Sequence, residues 1–202
     1  NCQLPTANCQ LPTANCQLPT VNGLVLSGGR STRMGRDKGL IAYHGAPQRE
    51  VAFGLLRPFC ERVFLSLNAD QAPTADPRFS FLVDETPDAG PLGGLLTAFG
   101  HTPDAAWLTV PCDLPFLTEK TISLLLTHRD PTRVATALRG ADGWPEPLVV
   151  LWEPAALPLL QRAATRSDGP RRVLVESGAV VLNAPNVEEF RNVNEPLPPA
   201  HR

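Results

Sequence analysis

The sequence is short of charge of one sign. Its 18 Lys and Arg face 20 Asp and Glu, a formal net charge of −2, which excludes a nucleic-acid binder that works by bulk positive charge. Long apolar runs are missing too: none approaches the roughly 18–20 residues that a membrane-crossing helix needs. His44, His101, His128 and His201 are the only histidines, and their spacing matches no metal-ligand pattern. No Ser/His/Asp logic for a covalent nucleophile is visible either. What remains is ordinary for a globular chain. Of 202 residues, 43% are hydrophobic and 19% charged, a balance that suits a single α/β domain with a sizeable core. The 22 Pro and 15 Gly imply short elements separated by firm turns.

Cysteine is sparse where the core should be. Cys2, Cys9 and Cys16 lie in three successive copies of a seven-residue unit, N-C-Q-L-P-T-A/V, at the start of the chain. A coiled coil shares that period, but Pro5, Pro12 and Pro19 forbid a continuing helix. The unit is too short for a solenoid, lacks the basic start and apolar stretch of a signal peptide, and has no His or acid to support metal binding. Residues 1–20 are therefore expected to form a flexible heptapeptide-repeat tail, ahead of a single domain over 21–202. Cys60 and Cys112 alone make no disulfide framework, and the expected compartment is the reducing cytoplasm.

Beyond Asn22, short apolar runs alternate with helical patterns. Strands are expected at Gly23–Ser27, Val63–Leu67, Phe79–Val83, Trp107–Val110, Val134–Leu138, Leu148–Trp152 and Ala179–Leu182. Helices are expected at Gln48–Arg57, Leu92–Phe99, Thr118–His128 (with Thr118 as N-cap) and Ala155–Thr165. This alternation predicts a Rossmann-like α/β fold, a mostly parallel sheet with helices on both faces. In such sheets ligands gather at the carboxyl ends of the strands, so the residues directly after each strand carry the functional reading.

After the first strand comes G-G-R-S-T-R-M-G-R-D-K, Gly28 to Lys38. Gly28 and Gly29 let backbone amides approach a phosphate chain, while Arg30, Arg33, Arg36 and Lys38 add positive charge. The spacing fits neither the Walker A loop nor G-x-G-x-x-G. The second strand ends at Ser66-Leu67-Asn68 and the third at Asp84. The fourth runs into P-C-D-L-P, Pro111 to Pro115, which fixes Asp113 at the crevice as a hard oxygen ligand for Mg²⁺. Gly90-Pro91-Leu92-Gly93-Gly94 offers a second glycine-rich approach at a helix start. Basic loop, carboxylate and bare backbone together indicate a nucleoside triphosphate.

The run L-S-G-G-R-S-T-R-M-G-R-D-K from Leu26 resembles the signature of the molybdenum cofactor guanylyltransferases, in the nucleotidyltransferase superfamily. The likeness continues through G-P-L-G-G (Gly90 to Gly94), P-C-D-L-P and F-R-N-V-N-E-P (Phe190 to Pro196). It implies transfer of GMP from GTP to molybdopterin, with Mg²⁺ as cofactor and pyrophosphate as by-product. It further implies that Leu26, Ser27, Gly28 and Gly29 lie against the nucleotide, that Lys38 holds the triphosphate and that Asp84 sits in the nucleotide site. Asp113 would contact nucleotide and metal. Ser66, with Asn68 two residues on, falls at the family's polar position after the second strand. Asn192 and Asn194 would face molybdopterin, with metal ligation by Asn194 as the next reading and a structural turn at Asn-Glu-Pro as the last. Ser27 stands where Ala is common, and Glu146 where Gln or His is.

In the chemistry this implies, an acceptor phosphate oxygen attacks the α-phosphorus of GTP, and Lys38 and Arg33 take up charge on the leaving pyrophosphate. A molybdopterin cytidylyltransferase or another small-molecule nucleotidyltransferase is the near alternative, although L-S-G-G and P-C-D-L-P favour the guanylyl side over the cytidylyl relatives. A non-catalytic carrier of nucleotide or molybdopterin is the alternative from another class, and the presence of both Lys38 and Asp113 argues against it. Cofactor-delivery proteins or molybdoenzyme apoproteins would be the downstream partners. No nucleic acid or membrane is expected as a partner.

Overall fold

A computed structural model describes residues 18–28, 38–42, 45–86 and 89–193. The heptapeptide copies up to residue 17 lie outside the described residues. Seven strands form one sheet: β1 (Val21–Leu26), β2 (Val63–Leu67), β3 (Phe81–Val83), β4 (Ala106–Pro111), β5 (Ala135–Arg139), β6 (Pro145–Trp152) and β7 (Val180–Asn183). Among the described residues five α-helices accompany the strands: α1 (Gln48–Leu56), α2 (Gly90–His101), α3 (Glu119–Thr127), α4 (Leu157–Thr165) and α5 (Pro170–Glu176). Their order in the sheet is β3-β2-β1-β4-β6-β5-β7.

The apolar runs become strands because both faces of the sheet are covered. All six residues of β4 are buried, and so are all five of β2. Such strands carry unbroken apolar sequence instead of alternation. On one face, α2, α4 and α5 pack Phe99, Leu160 and Leu174 against Trp107, Trp152 and Leu24. On the other, α1 and α3 pack Leu56, Ile122 and Leu125 against Leu65, Leu108 and Leu151. Truncating any one of these fully buried leucines to Ala would cost about 2–5 kcal/mol. No helix among the described residues is long and apolar enough to cross a membrane.

β1, β2, β3 and β4 run parallel, and β6 alone reverses, antiparallel to both β4 and β5. The cause is local: the short loop between β5 and β6 leaves no room for the crossover that a parallel pair needs. Reversal puts the start of β6, Pro145 and Glu146, at the edge where the other strands end. The chain leaves β1 toward β2 on one side and reaches β4 on the other, so the crevice lies outside the ends of β1 and β4.

Several elements differ from their expected bounds. β3 begins at Phe81, because Phe79 turns away to meet Phe53 edge-on at 4.9 Å. α5 has no counterpart in the expected set; Pro170 at its first turn is a helix-start signal, but seven residues give too little period to read. Thr118 occupies the N-cap position of α3, yet its side chain makes no bond to its own helix. Its hydroxyl is used elsewhere, as described below.

Candidate functional site

At the end of β1, Ser27 is drawn onto β2. Its Oγ donates to the Ser66 carbonyl at 2.8 Å, and its amide donates to the same oxygen at 3.2 Å. The Ser27 carbonyl accepts from Gln71 Nε2 at 3.2 Å. Gln71 is placed for this by a reciprocal pair: Asn68 N donates to Gln71 Oε1 and Gln71 N to Asn68 Oδ1, both at 2.9 Å. Asn68 thus spends its side-chain oxygen on the turn after β2. Gln71 was not anticipated from sequence, since a lone Gln in a polar loop gives no signal.

The Ser66 hydroxyl donates to Asp84 Oδ1 at 2.7 Å. Ser66 is buried at 2% exposure, so it acts on this site by holding Asp84. Burial pushes the Asp84 carboxyl above its ordinary range, and the Ser66 bond opposes that shift. Two glycines leave the carboxylate its room. A Cβ at Gly28 would lie 2.7 Å from Asp84 Oδ2, and one at Gly94 would strike Ser66 Oγ and come within 3.3 Å of Asp84 Oδ1. Gly94, expected to bare backbone for phosphate, therefore serves close packing of α2 on the end of β2. Thr97 on the same helix accepts from the Glu85 amide at 3.1 Å and steadies the segment after Asp84.

Asp113 follows β4 across the crevice. The Cys112 amide donates to the Leu26 carbonyl at 3.2 Å, which ties this loop to the end of β1. The chain's last described segment reaches it as well: Val193 N donates to the Asp113 carbonyl at 3.2 Å. With its carboxamide nitrogen turned toward the carboxylate, Asn192 donates to Asp113 Oδ2 at 2.6 Å, to Oδ1 at 2.9 Å and to the main-chain oxygen at 3.1 Å. Asn192 was expected to face the acceptor; its carboxamide lies against Asp113.

Glu189 anchors that segment. Its Oε2 accepts from Thr118 N at 2.9 Å, Thr118 Oγ1 at 3.0 Å and Thr121 Oγ1 at 2.7 Å. This is where the Thr118 hydroxyl goes. The only sequence signal at Glu189 is misleading: Asn186 followed three residues later by Glu reads as a capping box. Asn186 does cap its own turn, accepting from Glu188 N, but Glu189 turns inward to α3.

Beside Asp113 lies the start of β6. Glu146 is half-buried, and burial raises its carboxyl above the ordinary range. The Leu148 amide and Arg171 oppose that rise, while Asp142 and Asp113 add to it. Arg171 pairs with Asp142 at 2.6 Å, and the Trp144 ring is exposed in the same loop. Among the described residues no group of three or more His, Cys, Asp and Glu is arranged to hold a metal.

Ser27, Gly28, Ser66, Asp84 and Asp113 thus gather at one edge of the sheet, with Leu26 ending β1 beside them. Gly29, Arg33 and Asn194 lie outside the described residues, as do Arg30 and Arg36. Lys38 opens a short 3-10 turn, Lys38–Leu40, and its side chain is likewise outside.

The MobA-like NTP transferase domain model matches residues 23–181. The molybdenum cofactor biosynthesis bifunctional protein of Synechocystis is 36% identical over 177 residues, 86% of this chain, which spans about half (51%) of that longer protein. The probable molybdenum cofactor guanylyltransferase of Methanothermobacter thermautotrophicus is 36% identical over 191 residues, covering 85% of this chain and 93% of its own length. In fold, the crystal structure of molybdopterin-guanine dinucleotide biosynthesis protein A from Archaeoglobus fulgidus superposes with a TM-score of 0.66 at 22% identity, over 87% of this chain and 92% of that one. A match across the strands that build the crevice, together with relatives above 30% identity, has one reading: the chain belongs to the MobA-like NTP transferase family.

Proposed function

We propose that this chain transfers GMP from Mg²⁺-GTP to the terminal phosphate of molybdopterin, releasing pyrophosphate and forming the guanine dinucleotide cofactor. The observation that carries the reading is Asp113, a carboxylate at the topological switch point with Asn192 closed upon it. The relatives named as guanylyltransferases support the choice of nucleotide.

The pair fits a divalent cation. The end of the Asn192 carboxamide lies 2.6 and 2.9 Å from the two Asp113 oxygens. Adjacent oxygens on a Mg²⁺ octahedron are about 3 Å apart. Turned about its terminal torsion, Asn192 presents oxygen in place of nitrogen at nearly that spacing. Asp113 and Asn192 would then hold the ion together with phosphate oxygens. When bound, Mg²⁺ supplies charge neutralisation at the α-phosphate and the departing pyrophosphate.

The chain's own groups do the rest. The ends of β1 and β2, locked together through Ser27 and Ser66, give the base a rigid wall, and Asp84 offers acceptor oxygens to the donor edge of guanine. The basic loop through Arg33 and Lys38 draws charge from the leaving group. Asn194, two residues on in sequence from Asn192, is the residue given to the acceptor. The attacking oxygen is already anionic, so alignment counts for more than a general base. Delivery proteins or molybdoenzyme apoproteins would take the product onward.

The test is pyrophosphate release with molybdopterin and Mg²⁺, comparing GTP, CTP and ATP. Release specific to GTP is expected. Preference for CTP would make the chain a cytidylyltransferase, and nucleotide binding without release would make it a carrier.

A further inference from the structure

We propose that Glu189 is a positioning residue for the metal pair, clamping the segment that brings Asn192 to Asp113. The inference rests on the reading of Asp113 as the metal carboxylate.

Glu189 is 6% exposed, and one of its oxygens receives three hydrogen bonds of 2.7 to 3.0 Å from the first turn of α3. A negative group at that helix start also suits the helix dipole. Only two residues separate it from Asn192. Between them, Arg191 lays its guanidinium over the Phe116 ring at 4.7 Å, and beyond them Val193 N donates to the Asp113 carbonyl. Residues 189–193 therefore run along residues 113–121 and are fastened at both ends, Glu189 to the helix and Asn192 with Val193 to Asp113. The Glu189 end is the only one that is both buried and remote from the metal oxygens. Freeing it would let the segment swing and lower the fraction of time that Asn192 spends within ligand distance of Asp113. Partners bonded directly to a metal ligand are worth about 10- to 100-fold in metal affinity, and a clamp one step further out acts at the low end of that range.

A purely structural cap on α3 would behave differently. Its loss would lower the melting temperature and leave metal affinity unchanged. The experiment titrates Mn²⁺, followed by its EPR signal, into the full chain saturated with a GTP analogue carrying a methylene α–β bridge. Amide exchange at Val193 is measured alongside. Glu189→Ala, and separately the double variant Thr118→Ala/Thr121→Val, should weaken Mn²⁺ binding about tenfold or more and speed Val193 exchange. Thr118→Ser/Thr121→Ser, which keeps both hydroxyls, should restore wild-type affinity. The double variant decides the matter if Glu189→Ala does not fold. Wild-type Mn²⁺ affinity in the double variant, with Asp113→Asn abolishing binding, overturns the clamp alone. Unchanged affinity in Asp113→Asn overturns the metal reading and the clamp with it.

Discussion

Asn192 meets Asp113 at 2.6 Å, although one lies beyond β7 and the other directly after β4. A carboxamide can satisfy a carboxylate with its nitrogen or share a cation with it through its oxygen. Half a turn about one side-chain torsion separates the two states. Loading of the site thus requires little movement of the backbone.

Asp113→Asn tests that pairing. The substitution keeps the volume and can still bond Asn192, so the fold should survive with a melting temperature within a few degrees of wild type. Turnover should fall about a hundredfold or more, because the charge proposed to hold the cation is gone. Near-normal pyrophosphate release at ordinary Mg²⁺ would refute the role given to Asp113.

Ser66 and Gly94 form a testable couple. Ser66→Ala removes the hydroxyl that supports the Asp84 carboxylate, a loss of about 1.5–3 kcal/mol for a bond to a charged group. Gly94→Ala forces a methyl onto Ser66 Oγ and should cost about 1–3 kcal/mol. The double variant should be less destabilised than the sum of the two, since the first change removes the atom that the second collides with. Strict additivity in denaturant titrations would mean that the two sites do not touch in solution.

Asp84 makes stability depend on pH in an unusual direction for a carboxylate. Its folded value is raised above the ordinary 3.8, so the folded chain holds that proton more tightly than the unfolded chain. The favourable contribution is fully present below pH 3.8 and is lost as pH rises through the folded value. Asp84→Asn should therefore match or exceed wild-type stability at pH 7 and lose its advantage as pH falls toward 3.8. Melting curves of both proteins across that window are the check, and a growing advantage for Asp84→Asn on acidification would reverse the assignment.

The heptapeptide copies make a separate prediction. Deleting residues 1–17 should leave melting temperature and nucleotide affinity unchanged, given Pro5, Pro12 and no apolar period in the segment as a whole. The cut stops there because Thr20 already belongs to the domain, its carbonyl accepting from Ala106 N at 2.9 Å. A clear fall in melting temperature on deletion would show that the segment packs.

Sequence made the sheet legible because its central strands are buried on both faces and must therefore be apolar throughout: V-F-L-S-L and W-L-T-V announce themselves. Asp113 was legible for the complementary reason, as a polar residue after such a run, and Asp84 because it ends the apolar run of the edge strand β3. Glu189 was not, because its partners Thr118 and Thr121 are remote in sequence and its nearest pattern pointed to Asn186. Gly94 was legible as a needed glycine but not for its reason, since only the packed structure puts Ser66 Oγ in the path of a Cβ. The early start of β6 was hidden by Pro145 and Pro147, which withhold amides and are ordinarily signs against a strand interior.

The reversed direction of β6 divides the labour of the crevice. Everything proposed to touch the nucleotide hangs from the parallel strands β1 to β4, whose ends are locked to one another. The loop carrying Asp142 and Trp144, with Glu146 at the start of the strand that follows, is instead a hairpin tip, paired through β6 to β4 and β5 and tied to α5 by Arg171. Hairpin tips accept changes of length and residue without disturbing the sheet beneath them. The 140–144 tip can therefore vary in length and residue while the ends of β1 to β4 stay as they are, and a chimaera that takes these residues from a relative should keep the nucleotide affinity of its parent.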